Sequence, residues 1–106
     1  MTLDALEQHL GYTFTERTLL ELALTHRSWS EEAVGQQSTH LVHNERLEFL
    51  GDTVLNLAIT HLLCARFPES TEGDLSRVRS SLVGTEVLGT VAGGMGLGNA
   101  LRLGRG

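Results

Sequence analysis

The stretch Asn44-Glu45-Arg46-Leu47-Glu48-Phe49-Leu50-Gly51-Asp52 sets three carboxylates at spacings of three and four residues. On a helix turning roughly 100° per residue, Glu45, Glu48 and Asp52 fall within an arc of about 60° and stack up one face over two turns. Like charges so placed weaken a helix by a few tenths of a kcal/mol per pair, and a bound divalent cation relieves the repulsion. Mg2+ takes oxygen ligands, binds through one or two carboxylates, and keeps waters that a phosphate can displace. The chemistry that suits this stripe is metal-assisted phosphoryl chemistry.

The helix that must position the stripe extends from about His43 to Arg66 and stops at Phe67-Pro68, because a residue before proline is pushed out of the helical region. Leu47, Leu50, Val54, Leu57, Ala58, His61, Leu62 and Ala65 share a wide apolar arc away from the carboxylates, the pattern of a core helix. Phe49 falls off that arc, about 40° from Glu45, with Arg46, Thr53 and Asn56 around it. A large ring on a polar face is a candidate interface anchor.

The rest of the chain also reads as helical. Leu3, Leu6 and Leu10 with Gly11 as the stop predict a short first helix. A second is expected from Thr15, as N-cap, to His26, with Leu19, Leu22 and Ala23 inward. Residues Ser28 to His43 show little periodicity and read as a mobile loop. Thr71 with Asp74 resembles a capping box ahead of Leu75, Val78, Leu82 and Val83; Gly84 breaks that helix and Thr85 caps another. Glycines at 93, 94, 96, 98, 104 and 106 suit tight turns and close backbone contacts, and the natural domain is expected to continue past Gly106.

Length bounds the chain to one domain, residues 1–106. No apolar run near the roughly 20 residues of a membrane span and no signal peptide is expected, which points to a soluble, cytoplasmic protein. Cys64 is alone, so an intramolecular disulfide is excluded and a buried thiol is the expected role. Eight arginines, no lysine and thirteen acids give a net charge of −5, the wrong sign for holding nucleic acid unaided. Either nucleic acid is not the substrate, or bound metals and a separate basic module supply the attraction.

The nonapeptide from Asn44 to Asp52 resembles the signature of the ribonuclease III family. Leu24-Thr25-His26-Arg27-Ser28, Phe67-Pro68, Glu72-Gly73-Asp74-Leu75-Ser76, Arg77-Val78-Arg79, Leu82-Val83, Gly96-Leu97-Gly98 and Leu103-Gly104-Arg105-Gly106 extend the resemblance in order and spacing over nearly the whole chain. The resemblance implies an all-α endonuclease domain, incomplete at its C-terminus, that works as a homodimer with Mg2+, or Mn2+ in its place. Its implied substrate is double-stranded RNA, cut in RNA processing that includes ribosomal RNA. By position, Glu48 and Asp52 become metal ligands, Asp52 and Glu45 catalytic residues, Glu72 a substrate-binding acid lining the RNA valley, and Phe49 the dimer contact. The family's second pair of acids, on a later helix, and its basic RNA-binding domain have no counterpart in these 106 residues. The chain alone is therefore expected to cleave poorly.

Two other classes compete. A non-catalytic dimerisation or RNA-scaffolding module could use the same fold, but it has no need of Glu48 and Asp52. A di-metal redox bundle needs Glu-x-x-His motifs, which are absent. His40 and His43 invite a zinc reading without a His-Glu-x-x-His frame or a cysteine partner, so loop or helix-start histidines are expected. His26 is expected to cap or pack at a helix end, His61 to be a hydrogen-bonded core residue, and Trp29 to be packing or contact surface. Arg77 and Arg79 are expected on a solvated face or against phosphates.

Overall fold

The computed structural model describes residues 1–34 and 43–105. Among these residues six helices follow one another: α1 Leu3–Leu10, α2 Arg17–Ala23, α3 Arg27–Val34, α4 Glu45–Arg66, α5 Glu72–Leu82 and α6 Thr85–Met95, closed by a 3-10 turn at Leu97–Asn99. Among the described residues the only β-type pairing is an isolated parallel bridge between Thr25 and Arg102. The fold is all-α.

α1 forms as its sequence dictates. The Thr2 side chain accepts the Ala5 N–H, and Gly11 ends the helix at φ +69°, a conformation that costs glycine little. Leu6 is fully buried and joins Leu20 and Leu24 in a small core, with Phe14, Met95, Leu97 and Ala100 packed against it. Glu7 is buried beside that core, accepting the Phe14 N–H at 2.5 Å. Arg17 reaches both Glu7 and Asp4. These bonds hold residues 12–16 in an extended turn, so α2 starts at Arg17 with Glu16 as an N-cap whose side chain makes no capping bond, rather than at Thr15. Leu20 and Leu24 point inward, whereas Leu19 and Ala23 are exposed. Two bonds take the chain out of helix before His26: Arg102 N–H to Leu24 O at 2.8 Å and His26 N–H to Arg102 O at 2.9 Å.

The expected loop from Ser28 holds an eight-residue helix, α3. His26 caps it: its Nδ1 accepts the Ser28 N–H at 3.1 Å. Periodicity missed it because its inward face carries Ser30, which is buried, in place of an aliphatic residue. Gly104 packs against the same end, its N–H donating to Ser28 Oγ at 2.8 Å. A Cβ there would stand 2.6 Å from the Ser28 carbonyl oxygen, which accounts for the glycine. Gly96, at φ +69°, closes α6. The His40 reading lies outside the described residues.

α4 differs most from expectation. Leu63 is the buried residue on it, and Leu63 stands on the side of the carboxylates, not on the apolar arc. α5 crosses α4 there, leaving a concavity of about 410 Å³ on one flank, with Thr60, Cys64, Glu72 and Arg79, and one of about 320 Å³ on the other, with Ile59, Phe67 and Val78. Leu50, Val54, Leu57 and Leu62 are each more than half exposed, His61 is exposed instead of a core residue, and Cys64 is exposed instead of buried. One 11-residue partner cannot cover an arc this wide on a 22-residue helix. The molecule is accordingly open: its radius of gyration is 16.6 Å, against about 13 Å for a compact 100-residue domain. α4 also has the length and composition of a membrane span, 22 residues with mean hydropathy 1.3 over its most apolar window, contrary to the sequence expectation. Its apolarity is one-sided, with the carboxylates on the opposite face.

α5 begins as expected, Thr71 Oγ1 accepting the Asp74 N–H at 3.2 Å. Gly84, not Thr85, is the N-cap of α6; Thr85 is the first helical residue.

Candidate active site

Glu45 and Glu48 occupy the first turn of α4, and Asp52 follows one turn on from Glu48. All three are exposed. Acids in a first turn sit at the positive end of the helix dipole, which offsets part of their mutual repulsion. Among the described residues, the carboxylates of Glu48 and Asp52 have no hydrogen-bond or ion-pair partner, while the Asp52 carbonyl accepts from Asn56 Nδ2 at 2.8 Å, and no three carboxylates, histidines or cysteines converge on a point. The pair is a two-ligand set, which fits Mg2+ with waters or phosphate oxygens on its remaining positions.

Glu45 differs from its neighbours. Its carboxylate lies 3.6 Å from Nη1 of Arg27, the first residue of α3, while Arg27 Nε donates to Glu31 at 2.9 Å. The Glu31 hydrogen bond first, and the Glu45 charge second, hold the guanidinium protonated even more firmly than usual.

The start of α4 is fixed by Asn44. Its backbone N–H donates to Thr25 O at 2.9 Å, and its side-chain Nδ2 to Ala23 O at 2.9 Å. An asparagine before an acidic first turn reads as an N-cap, yet this one makes no cap bond and is spent on a residue 21 positions back. The N–H of Glu45 is served instead by His43 Nδ1 at 3.3 Å. The α2–α3 junction therefore carries the stripe on one side and the Arg102–Gly104 segment on the other. Sequence reading missed both Arg27 and this use of Asn44.

Glu72 does not join Glu45 directly. It lies on the stripe's side of α4 but in its later half, in the concavity with Thr60 and Leu63. Phe49 is 83 % exposed beside the stripe and borders a concavity of about 600 Å³ with Glu45, Arg46, Leu47 and Leu50. Arg77 pairs with Asp74, and Arg79 donates to Thr60 Oγ1 at 2.9 Å, so both have intramolecular partners. The ring of Trp29 lies 5.4 Å below the Arg102 guanidinium.

An all-α chain with an acidic stripe on its longest helix admits several families, and comparison with known proteins decides between them. A family model described as Ribonuclease-III-like matches residues 16–106. The chain belongs to the ribonuclease III family. It is 52 % identical over 101 residues to the Ribonuclease 3 of Geobacter metallireducens, covering 95 % of this chain and 40 % of that protein. It is also 52 % identical over 107 residues to the Ribonuclease 3 of Magnetococcus marinus, covering 98 % of this chain and 43 % of the relative. The crystallised nuclease domain of ribonuclease III from Campylobacter jejuni superposes with a TM-score of 0.83 at 38 % identity, over 98 % of this chain and 66 % of that one. One description of that domain notes structural flexibility in a region involved in its dimer formation. The chain thus spans about 40 % of the length of the curated ribonuclease III relatives it matches.

Proposed function

We propose that this chain forms part of the catalytic surface of a metal-dependent ribonuclease III that hydrolyses phosphodiester bonds of double-stranded RNA in RNA processing. The observation that carries the reading is the pair Glu48 and Asp52: aligned on one face of α4, exposed, and with carboxylates that have no partner among the described residues, in a chain of this family. Glu48 and Asp52 are the residues to hold Mg2+, or Mn2+ in its place. A metal so held supplies an activated water and neutralises charge developing on the phosphoryl oxygens.

The chain's own side chains do the rest. The stripe repels bare phosphate, so a strand docks productively only when the carboxylates are neutralised. Glu45, tethered through Asn44 and Arg27, borders the reacting groups, and Glu72 extends the acidic face toward α5. Phe49 is the anchor for a second copy, the ring meeting apolar surface on the partner and leaving solvent. A cytoplasmic setting away from membranes belongs to the same proposal, with the apolar arc of α4 facing protein rather than lipid.

Titration of the chain with Mn2+, followed by the loss of free-ion signal in electron paramagnetic resonance, tests the metal site. Weak binding that Glu48→Gln and Asp52→Asn each abolish, with helicity unchanged, is expected. Binding that survives both substitutions refutes the site. RNA binding by a chain whose metal affinity is nil favours the scaffolding alternative.

A further inference from the structure

Arg27 is poorly placed for the stability of its own helix. A cation in a first turn opposes the helix dipole, and an Arg preceding Glu by four residues is the weaker order of such a pair. Nor does its exposed pairing with Glu45, at 53 % and 55 % side-chain exposure, contribute much by itself. What fixes Arg27 beside Glu45 is the backbone, because Asn44 ties the start of α4 to Ala23 and Thr25, just before Arg27.

The guanidinium carries five N–H donors in a planar fork. One, on Nε, is engaged by Glu31. The 3.6 Å approach of Nη1 to Glu45 is longer than a hydrogen bond. The two Nη groups therefore keep their donors at the head of the acidic stripe, with no hydrogen-bond acceptor among the described residues. Of the ion pairs among those residues, Arg27–Glu45 is the one that reaches the stripe.

We propose that Arg27 is a phosphate-binding residue of the RNA groove, its Nη edge taking the non-bridging oxygens of one phosphodiester next to Glu45. This rests on the nuclease reading above. A guanidinium fork matches a phosphate bidentately, which an ammonium does not. In a chain of net charge −5, one fixed cation beside the stripe sets where along the strand the backbone comes to rest. Glu31 and Glu45 hold the fork in place before substrate arrives, so little side-chain freedom is lost on binding.

The test is binding of a short blunt RNA duplex by the whole chain in Ca2+, followed by fluorescence anisotropy over a series of KCl concentrations. One phosphate contact contributes close to one unit to the slope of log K against log salt. Arg27→Gln is expected to lower that slope by about one and to weaken binding about eightfold at 0.1 M salt. Arg27→Lys keeps the slope and loses a few-fold in affinity, since the charge remains and the fork is gone. An unchanged slope in Arg27→Gln or wild-type affinity in Arg27→Lys would overturn the assignment and leave Arg27 a structural ion pair. Circular dichroism checks the fold of each variant, and Arg27→Lys decides alone if the glutamine variant unfolds. Absence of salt-dependent duplex binding by the wild-type chain in Ca2+ overturns the Arg27 assignment, whereas the Mn2+ titration of Glu48 and Asp52 decides the nuclease reading separately.

Discussion

Leu63 stands on the same side of α4 as Glu45, 18 residues or about five turns further along. One helix face thus carries the carboxylates at its beginning and the contact with α5 at its end. The contact that holds α5 therefore also fixes how the stripe is turned.

Removal of that contact is expected to be costly and specific. Leu63 is 7 % exposed, so Leu63→Ala should destabilise the chain by about 2 kcal/mol and lower its Tm by roughly 10 °C. Leu57 is 69 % exposed, and Leu57→Ala should cost no more than about 0.5 kcal/mol. Thermal unfolding of both variants measures the difference. Equal losses would show that the apolar arc of α4 is covered and that its packing has been misassigned.

Acid sensitivity should trace to Glu7. The Arg17 hydrogen bond first, and the Phe14 N–H second, hold its carboxyl below the ordinary value of 4.5 in the fold. A carboxylate with a depressed folded pKa stabilises the fold fully above its unfolded value and loses that contribution as pH falls through the folded one. Tm should accordingly fall as pH drops below about 4.5, and Glu7→Gln should have a lower Tm at pH 7 with a flatter acid limb. A variant with the same acid limb as the wild type would place the sensitivity elsewhere.

Phe49 should govern self-association. Phe49, 83 % exposed, borders the stripe, and Phe49→Asp is expected to shift sedimentation toward the monomer while leaving helicity intact. Identical sedimentation of the two proteins would remove Phe49 from the interface.

Cleavage should follow ligand number. Residues 1–106 supply two aligned carboxylates without a third converging group among the described residues, so they are expected to cut double-stranded RNA slowly in Mg2+. Joining them to the further third of a nuclease domain such as that of Campylobacter jejuni should raise the rate by at least about 10²-fold, and Asp52→Asn or removal of Mg2+ should abolish it. Fast cutting by residues 1–106 alone, sensitive to Asp52→Asn, would mean that the site is completed within the chain or across a dimer.

Local chemistry was legible where a residue acts on its own helix. The helical register of Glu45, Glu48 and Asp52, the Gly11 stop, the Thr71 cap and the off-core placement of Phe49 all follow from spacing and residue type, because they depend on neighbours three or four positions away. The nonapeptide also sufficed to indicate the family.

Contacts between distant segments were decided by the tertiary structure alone. α3 is a helix because His26 caps it and Gly104, 76 residues on, closes over Ser28; none of these leaves a periodic trace. The exposure of Leu50, Val54 and Leu57 depends on which helices reach α4, and an apolar arc in sequence says only that burial is favourable, not that a partner is present. Arg27 reads in sequence as an ordinary helix charge. Its place beside Glu45 exists because Asn44 spends its amide on Ala23, a bond no local pattern encodes.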